Sequence, residues 1–172
     1  TLSTTFSQDT TVYAQFGAFT TGETGTISKV ALNYNGGSKT VSSWSVENTG
    51  TYGFVLKNGV YVNNNAGVHT SVAVAKVTFT TTIANAKVMF QMRSYGESNH
   101  DYGIVGNLDG AALTESSIST YYYRFRGSAS ATIKTLTFSV ATAGSHYVYM
   151  AYTKDWATNS NDDSFWFTIA TD

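Results

Sequence analysis

The sequence predicts an all-β domain, built as an antiparallel two-sheet β-sandwich of jelly-roll type. Three observations support this prediction. Aromatic residues make up 15% of the chain, proline is absent, and Gly, Ser, Thr and Asn separate the apolar runs, a mixture that favours strands and turns. No ten-residue window shows the 3.6-residue period of an amphipathic helix. The apolar runs number roughly nine to eleven, which is enough for two packed sheets.

The clearest local pattern lies between residues 87 and 110. Val88, Phe90 and Met92 alternate with more polar neighbours, as expected for a strand that covers a core with one face. Turn-forming residues follow at 95–100, and an apolar run at 102–108 ends at Asp109-Gly110. This stretch therefore predicts a strand, a polar loop and a second strand.

The segments before this stretch predict a first strand, two hairpins and one long strand. Asn35-Gly36 and Asn58-Gly59 supply the left-handed backbone conformations that tight hairpin turns require. Strands are predicted, in order, at 12–17, 27–34, 39–46, 52–56, 60–62 and 71–80.

The segments after it predict four further strands. Residues 111–120 are irregular and polar, and residues 153–163 form a long polar loop. Strands are predicted at 121–126, 133–140, 146–152 and 164–169.

The length of 172 residues suits one domain, or one domain with a small N-terminal addition. We assign residues 51–172 to the β-sandwich module. Residues 1–50 either belong to the same sandwich or form a small preceding unit, because the strands before Trp44 are shorter and less apolar. No apolar run approaches the ~18 residues that span a bilayer, and the N-terminus lacks a signal-peptide pattern. We therefore expect no membrane insertion and place any export signal or anchor elsewhere in a larger protein.

The composition argues against several functional classes. Charged residues are only 12% of the chain, the net charge is −1, and the basic residues are scattered, so no nucleic-acid partner is expected. The absence of cysteine removes disulfides and thiolate chemistry.

Catalysis is not expected either. His69, His100 and His146 are the only histidines, and neither a Gly-x-Ser-x-Gly elbow nor a His-Glu-x-x-His motif is present. Two carboxylates for glycoside hydrolysis would have to come from the set Glu47, Glu97, Asp101 and Asp109, whose spacing does not predict a pair.

Several short motifs occur in a fixed order between residues 52 and 171. They are Ser94-x-x-Glu97-x-x-x-Asp101, Leu108-Asp109-Gly110, Phe125-x-Gly127, Gly144-x-His146, Tyr152-x-Lys154-Asp155, and Asp162 with Trp166. This order resembles the jelly-roll β-sandwich modules of extracellular proteins, especially gut bacterial cell-surface proteins and bacteriophage tail or fibre proteins. The resemblance implies a non-catalytic module for ligand or receptor attachment, located on a virion or cell surface.

Five residues are the candidate ligand-binding residues. Trp156 lies in a predicted loop, where an aromatic side chain is available to solvent. Tyr121, Tyr123 and Arg124 belong to one strand, so one alternating set is exposed for stacking on a sugar ring while the other is core. Tyr95 opens the polar loop after the central strand. The expected partner is a glycan or a cell-surface receptor.

For cofactors we expect none, with calcium as the alternative. Asp109, Asp162 and Asp163 are the metal candidates, because calcium binds oxygen ligands collected from loops. Glu97 and Asp101 have two interpretations. They either join such a site or fix their loop by accepting backbone hydrogen bonds, with Lys154 or Arg93 as the charge partner.

Two functional hypotheses remain at this stage. The first is a carbohydrate- or receptor-binding module displayed on a virion or cell surface. The second is a structural spacer or assembly domain that packs against sister chains, for example as a homotrimer. Size in solution distinguishes them, because an assembly domain self-associates.

Overall fold

The computed structural model describes residues 30–34, 37–118, 120–127, 132–159 and 161–171. The strand predicted at 12–17, the first residues of the strand predicted at 27–34, and the Asn35-Gly36 turn lie outside these residues. The described residues form strands and turns without a helix, so none of their segments is a helix able to cross a membrane.

Eleven strands occupy the described part of the chain. Their bounds are β1 Val30–Tyr34, β2 Gly37–Asn48, β3 Phe54–Lys57, β4 Val60–Asn63, β5 Ser71–Thr81, β6 Ala86–Tyr95, β7 Tyr102–Val105, β8 Tyr123–Arg126, β9 Lys134–Val140, β10 Gly144–Lys154 and β11 Ser164–Thr171. The predicted strands from residue 39 onward agree with these bounds within a few residues. The exception is the strand predicted at 102–108, which ends at Val105.

The strands form two sheets. One has six strands in the order β1-β2-β5-β10-β7-β8, and the other has five in the order β3-β4-β11-β6-β9. Every neighbouring pair of strands is antiparallel. The predicted all-β antiparallel two-sheet sandwich is therefore confirmed.

The β3–β4 hairpin turns where its sequence predicts. Asn58 and Gly59 have φ values of 50° and 80°, and Lys57 pairs with Val60 on either side of them. Both φ values lie in the left-handed region, as two-residue hairpin turns require.

The core lies between the two sheets. Alternate residues of the central strands point inward and exclude water, which explains the two-residue burial period of β5 and β6. The largest fully buried side chains are Tyr152, Phe79, Phe90, Phe165, Phe167, Met92 and Met150. Burying one such side chain stabilises the fold by about 1.5–3 kcal/mol. Gly103 leaves the space that the Phe165 ring fills, since a Cβ atom there would lie 2.4 Å from that ring.

The strands before residue 51 extend the six-stranded sheet. β2 pairs with β5 from Val41 to Asn48, with a register shift between Val41 and Ser43. Trp44 on β2 is buried in the common core, where its ring contacts that of Tyr61 edge to face.

A second, smaller core lies on the outer face of the six-stranded sheet. The connection between β7 and β8 crosses this face and places Leu113 against Val74, Ile104 and Ala151, all of them buried. Ile118 of the same connection packs beside them. Arg124 and Arg126 of β8 are exposed beside this cover.

Candidate binding surface at the loop end

Several connections meet at one end of the sandwich, which we call the loop end. Among the described residues they include 49–53 after β2, 64–70 after β4, 96–101 after β6, Gly127 after β8, and 155–159 with 161–163 after β10. The strand register brings them together, because Lys154 pairs with Ser71 and Thr153 pairs with Tyr102. The ends of sandwiches are common binding sites, since loops there are held by a rigid scaffold.

A buried lysine organises the loop end. Lys154 Nζ donates to the carbonyl oxygen of Thr158 at 2.6 Å and lies 3.3 Å from Asp101 Oδ2. Carboxylate oxygens of Asp163 and Asp155 lie 3.7 and 3.8 Å away. The side chains of Lys154 and Asp101 are fully buried, so each charge depends on the other for compensation.

Asp101 also fixes the backbone of two loops. Its Oδ2 accepts a hydrogen bond from the amide of Glu97, and its Oδ1 accepts one from the amide of Asp155, both at 3.1 Å. Gly127 packs against the same loop, where a Cβ atom would lie 2.2 Å from the Glu97 carbonyl oxygen. The loop-fixing interpretation of Asp101, with Lys154 as its charge partner, is confirmed, whereas Glu97 contributes through its backbone.

Tyr152 lies beside this cluster. Burial, and then the negative charges of Asp101 and Asp163, raise the pKa of Tyr152 well above its ordinary value of 10.0. The phenol therefore keeps its proton at neutral pH.

Buried amides hold the loop between β4 and β5. Asn63 Nδ2 donates to Asn65 Oδ1 at 2.8 Å and to the Asp163 carbonyl at 3.0 Å. Asn65 Nδ2 donates to Ser71 Oγ at 2.9 Å. These bonds connect residues 64–70 to the start of β11, so three of the loops share one polar network.

This network holds the loop that carries Trp156. Its side chain is 80% exposed, but the backbone on both sides is fixed. Asp155 donates its amide to Asp101 and accepts at its carbonyl from the amide of Thr70 at 2.6 Å. The Ala157 amide donates to Asp155 Oδ1 at 2.9 Å. An exposed indole on an anchored loop is thus preorganised for contact with a ligand.

Aromatic and basic side chains continue this surface along β8. The Arg124 guanidinium lies 4.3 Å from the centre of the Tyr102 ring and 6.0 Å from that of Tyr121. Arg126 donates to Asn99 Oδ1 at 2.9 Å, and the Tyr102 hydroxyl donates to the Asn99 carbonyl.

Residues 155–159 carry Trp156, and we call them the tryptophan loop. His100 links this part of the surface to the tryptophan loop, because its Nδ1 lies 3.4 Å from Asp155 Oδ2. We define the loop-end surface by the residues joined in this way. They are Asn99, His100, Tyr102, Tyr121, Arg124, Arg126 and Trp156.

The structure thus brings together some of the predicted ligand residues and separates others. Tyr121 and Arg124 lie on the loop-end surface with Trp156. Tyr123 shares the inner face of β8 with Phe125, 4.6 Å from its ring, and is 40% exposed at the rim. Tyr95 lies on the other sheet, where the Arg93 guanidinium covers its ring at 5.1 Å.

The three metal candidates do not meet. Asp109 lies beside His146 near the start of β10, whereas Asp162 and Asp163 follow the end of that strand. Asp162 pairs with Arg93 at 3.0 Å, and Asp163 lies beside Lys154. Among the described residues, no three His, Asp or Glu side chains are arranged to hold a metal ion. Calcium binding stays a prediction without a site in that part of the chain.

The contacts of Asp109 indicate a structural role. Its Oδ2 lies 2.7 Å from His146 Nδ1, and its Oδ1 accepts from the Tyr147 amide at 2.9 Å. His146 Nε2 lies 3.0 Å from the carbonyl oxygen of Thr142. In a catalytic dyad this nitrogen would face a nucleophile, whereas here it faces a backbone carbonyl. The pair of Asp109 and His146 extends the hydrogen bonding of β10 beyond the end of β7.

A polar cleft of about 420 Å³ lies next to the tryptophan loop. It is bounded by Tyr52, residues 68–72, Glu115 and Ser116. The cleft and the tryptophan loop share a wall, since the Thr70 amide donates to the Asp155 carbonyl.

Sequence reasoning missed Tyr102, Asn99 and the cleft. Tyr102 is half-buried at the start of β7, and this strand of four residues is too short for its sequence pattern to predict which face each side chain occupies. The cleft is assembled from three distant segments, and no local pattern predicts such an arrangement.

Comparisons of the chain with protein-family models, with curated proteins and with solved structures found no match. The function is therefore inferred from the geometry of the loop-end surface.

Proposed function

We propose that this chain is a non-catalytic carbohydrate-binding module, displayed on a virion tail or fibre or on a cell surface, where it attaches to a glycan receptor. The observation that carries the proposal is Trp156. Its indole is 80% exposed, although exposing a large aromatic side chain loses the stabilisation that burial gives. Its backbone is held on both sides by hydrogen bonds, so the exposure belongs to an ordered loop.

The chemistry around Trp156 suits a sugar. A pyranose ring has an apolar face that packs on an indole, and its hydroxyls need donors and acceptors at the edge of that face. His100, Asn99 and Arg126 supply such groups next to the tryptophan loop. The neighbouring cleft offers room for a further sugar unit.

The strand order supports the resemblance from which the surface display is inferred. In the two sheets, β4 neighbours β11, β5 neighbours β10, β6 neighbours β9 and β7 neighbours β8. These are the pairs expected when one long antiparallel hairpin is rolled into two sheets, so they support the proposal of a jelly-roll arrangement of eight strands.

The test is binding of the isolated chain to a broad glycan panel, with Trp156→Ala as the site variant and Trp166→Phe as the control. Trp166 is half-buried on the outer face of the other sheet, next to Arg93. Binding that requires Trp156 and tolerates Trp166→Phe supports the proposal. Absence of binding at millimolar ligand contradicts it.

The second candidate is a structural spacer or assembly domain that packs against sister chains. One observation favours it. Val55, Val62 and Trp166 are successive partners across β3, β4 and β11, and all three are half-buried, so they form a flat apolar row. Light scattering tests this candidate, since a trimer in solution supports assembly and a monomer at high concentration contradicts it.

A further inference from the structure

Two arginines lie side by side on the edge of the six-stranded sheet. Arg124 and Arg126 are two residues apart on β8, so both point to the outer face and their Cα atoms are about 7 Å apart. β8 is the last strand of its sheet, and both side chains are exposed. The edge therefore carries two positive charges within reach of one small ligand.

Neither arginine has an acidic partner in the described part of the chain. The ion pairs there involve Arg93, Lys154 and two histidines. Arg93 shows the contrasting arrangement, because Asp162 binds its guanidinium at 3.0 Å. Among the residues that the structure describes, none compensates the two charges on β8.

Both arginines are nevertheless held in place. The Tyr102 ring lies 4.3 Å from the Arg124 guanidinium, and Asn99 binds Nη1 of Arg126 at 2.9 Å. A stacked guanidinium uses its flat face for the aromatic contact and keeps its N–H edge available for bidentate hydrogen bonds. Such an edge matches the geometry of a carboxylate.

The pair is also continuous with the proposed sugar surface. Asn99, which binds Arg126, precedes His100, and His100 contacts Asp155 next to Trp156. A carboxylate bound at β8 therefore lies near the loop that carries Trp156.

From these contacts we infer that Arg124 and Arg126 form a subsite for the carboxylate of an acidic sugar, so that the ligand of the loop-end surface is a glycan containing a pyranose carboxylate. The inference rests on the proposed glycan-binding function and specifies its ligand class. Arg124 and Arg126 donate to the carboxylate oxygens, and Tyr102 and Asn99 keep the two guanidinium groups oriented.

The experiment compares ligands that differ only in this group. Oligogalacturonate and its methyl ester share the same rings, and the ester removes the charge. Sialyllactose and its methyl ester form a second pair, and a sulfated galactan tests a different anion. Titration calorimetry or NMR shifts of the whole chain report each affinity, at low and at 0.5 M NaCl.

We expect the carboxylate form of at least one pair to bind about tenfold or more tightly than its neutral counterpart, with a preference that falls as salt rises. Arg126→Gln removes this preference. Arg124→Lys, which keeps the charge but loses the planar fork, weakens it. Lys134→Gln on β9 of the other sheet makes the same charge change and leaves the preference intact.

The outcomes separate the inference from the function on which it rests. Equal, Trp156-dependent binding of charged and neutral glycans overturns the carboxylate subsite and leaves the glycan-binding function standing. Equal binding of the sulfated galactan also overturns the assignment to a carboxylate. No binding of any glycan, charged or neutral, overturns both proposals.

Discussion

The ammonium of Lys154 lies 3.3 Å from Oδ2 of Asp101, and both side chains are fully buried. This pair connects the end of β10 to the loop between β6 and β7. Asp101 also holds the amides of Glu97 and Asp155, so one buried carboxylate fixes both sides of the loop-end surface.

Replacing Lys154 by Met leaves the Asp101 charge buried without compensation. We expect a loss of about 3–5 kcal/mol in the free energy of unfolding, which is typical when one partner of a buried ion pair is removed. Urea unfolding followed by tryptophan fluorescence measures the change.

Two controls accompany this prediction, a Lys→Met substitution at an exposed position and a double variant. Lys134→Met at the exposed start of β9 should change the stability by about 0.5 kcal/mol or less. The double variant Lys154→Met/Asp101→Asn should lose less stability than the sum of its single variants, because the uncompensated charge is gone. A Lys154→Met variant as stable as Lys134→Met would contradict the account.

Removal of divalent metal should leave the stability unchanged. The ammonium of Lys154 already supplies positive charge among the oxygens of Asp101, Asp155 and Asp163. We expect the thermal midpoint with a chelator to agree with that in millimolar calcium within about 1 °C, since a ligand shifts the midpoint only if it binds the folded state. A rise with calcium that Asp162→Asn abolishes would establish a metal site at this end instead.

The raised pKa of Tyr152 predicts a loss of stability at alkaline pH. In the unfolded chain this phenol loses its proton near pH 10.0, whereas the folded protein retains it to higher pH. The unfolded state then binds fewer protons, so the contribution of Tyr152 is complete below about pH 10 and is lost as the pH rises further.

Tyr152→Phe should make the stability fall less steeply between about pH 9 and pH 11. Urea midpoints of wild type and variant across this range measure the difference. Tyr122→Phe, at a half-exposed tyrosine near β8, serves as the control and should follow the wild type. Parallel curves for wild type and Tyr152→Phe would show that this tyrosine has no part in the pH dependence.

Asp109→Asn should lower the stability by about 1–2 kcal/mol at neutral pH. The substitution replaces a carboxylate that contacts His146 and accepts from the Tyr147 amide. Hydrogen bonds to charged groups contribute about 1.5–3 kcal/mol, and the 42% exposure of the Asp109 side chain places it at the lower end of that range. Asp162→Asn provides the matched control, because the Asp162 side chain is 56% exposed and surface pairs contribute ~0–1 kcal/mol. Equal effects of the two substitutions in urea unfolding would refute the structural role of Asp109.

The fold was largely predictable because strand alternation and turn chemistry are local signals. The Val88–Phe90–Met92 alternation and the Asn58-Gly59 turn each determine their own element. Leu108 was misassigned to a strand, since β7 ends at Val105 and the Asp109 carboxylate takes over its hydrogen bonding to β10. The apolar character of residues 102–108 does not show that a side chain replaces the backbone as the hydrogen-bond partner of β10.

The candidate site was only partly predictable. The exposure of Trp156 followed from its place in a polar loop. Strand alternation instead predicted Tyr121 and Arg124 on opposite faces, whereas β8 begins only at Tyr123 and the Arg124 guanidinium lies 6.0 Å from the centre of the Tyr121 ring. The contact of Arg124 with Tyr102 and that of Arg126 with Asn99 join segments more than twenty residues apart. Such contacts depend on strand order and register, which the sequence pattern alone does not specify.

The glycan affinity of Trp156→Ala, compared with that of the wild type and Trp166→Phe, tests the central claim most directly. The account predicts that the wild type binds at least one glycan, that Trp166→Phe binds it equally, and that Trp156→Ala binds it at least tenfold more weakly with an unchanged urea midpoint. Stacking of one aromatic side chain supports a change of that size. Undiminished binding by Trp156→Ala would contradict the account.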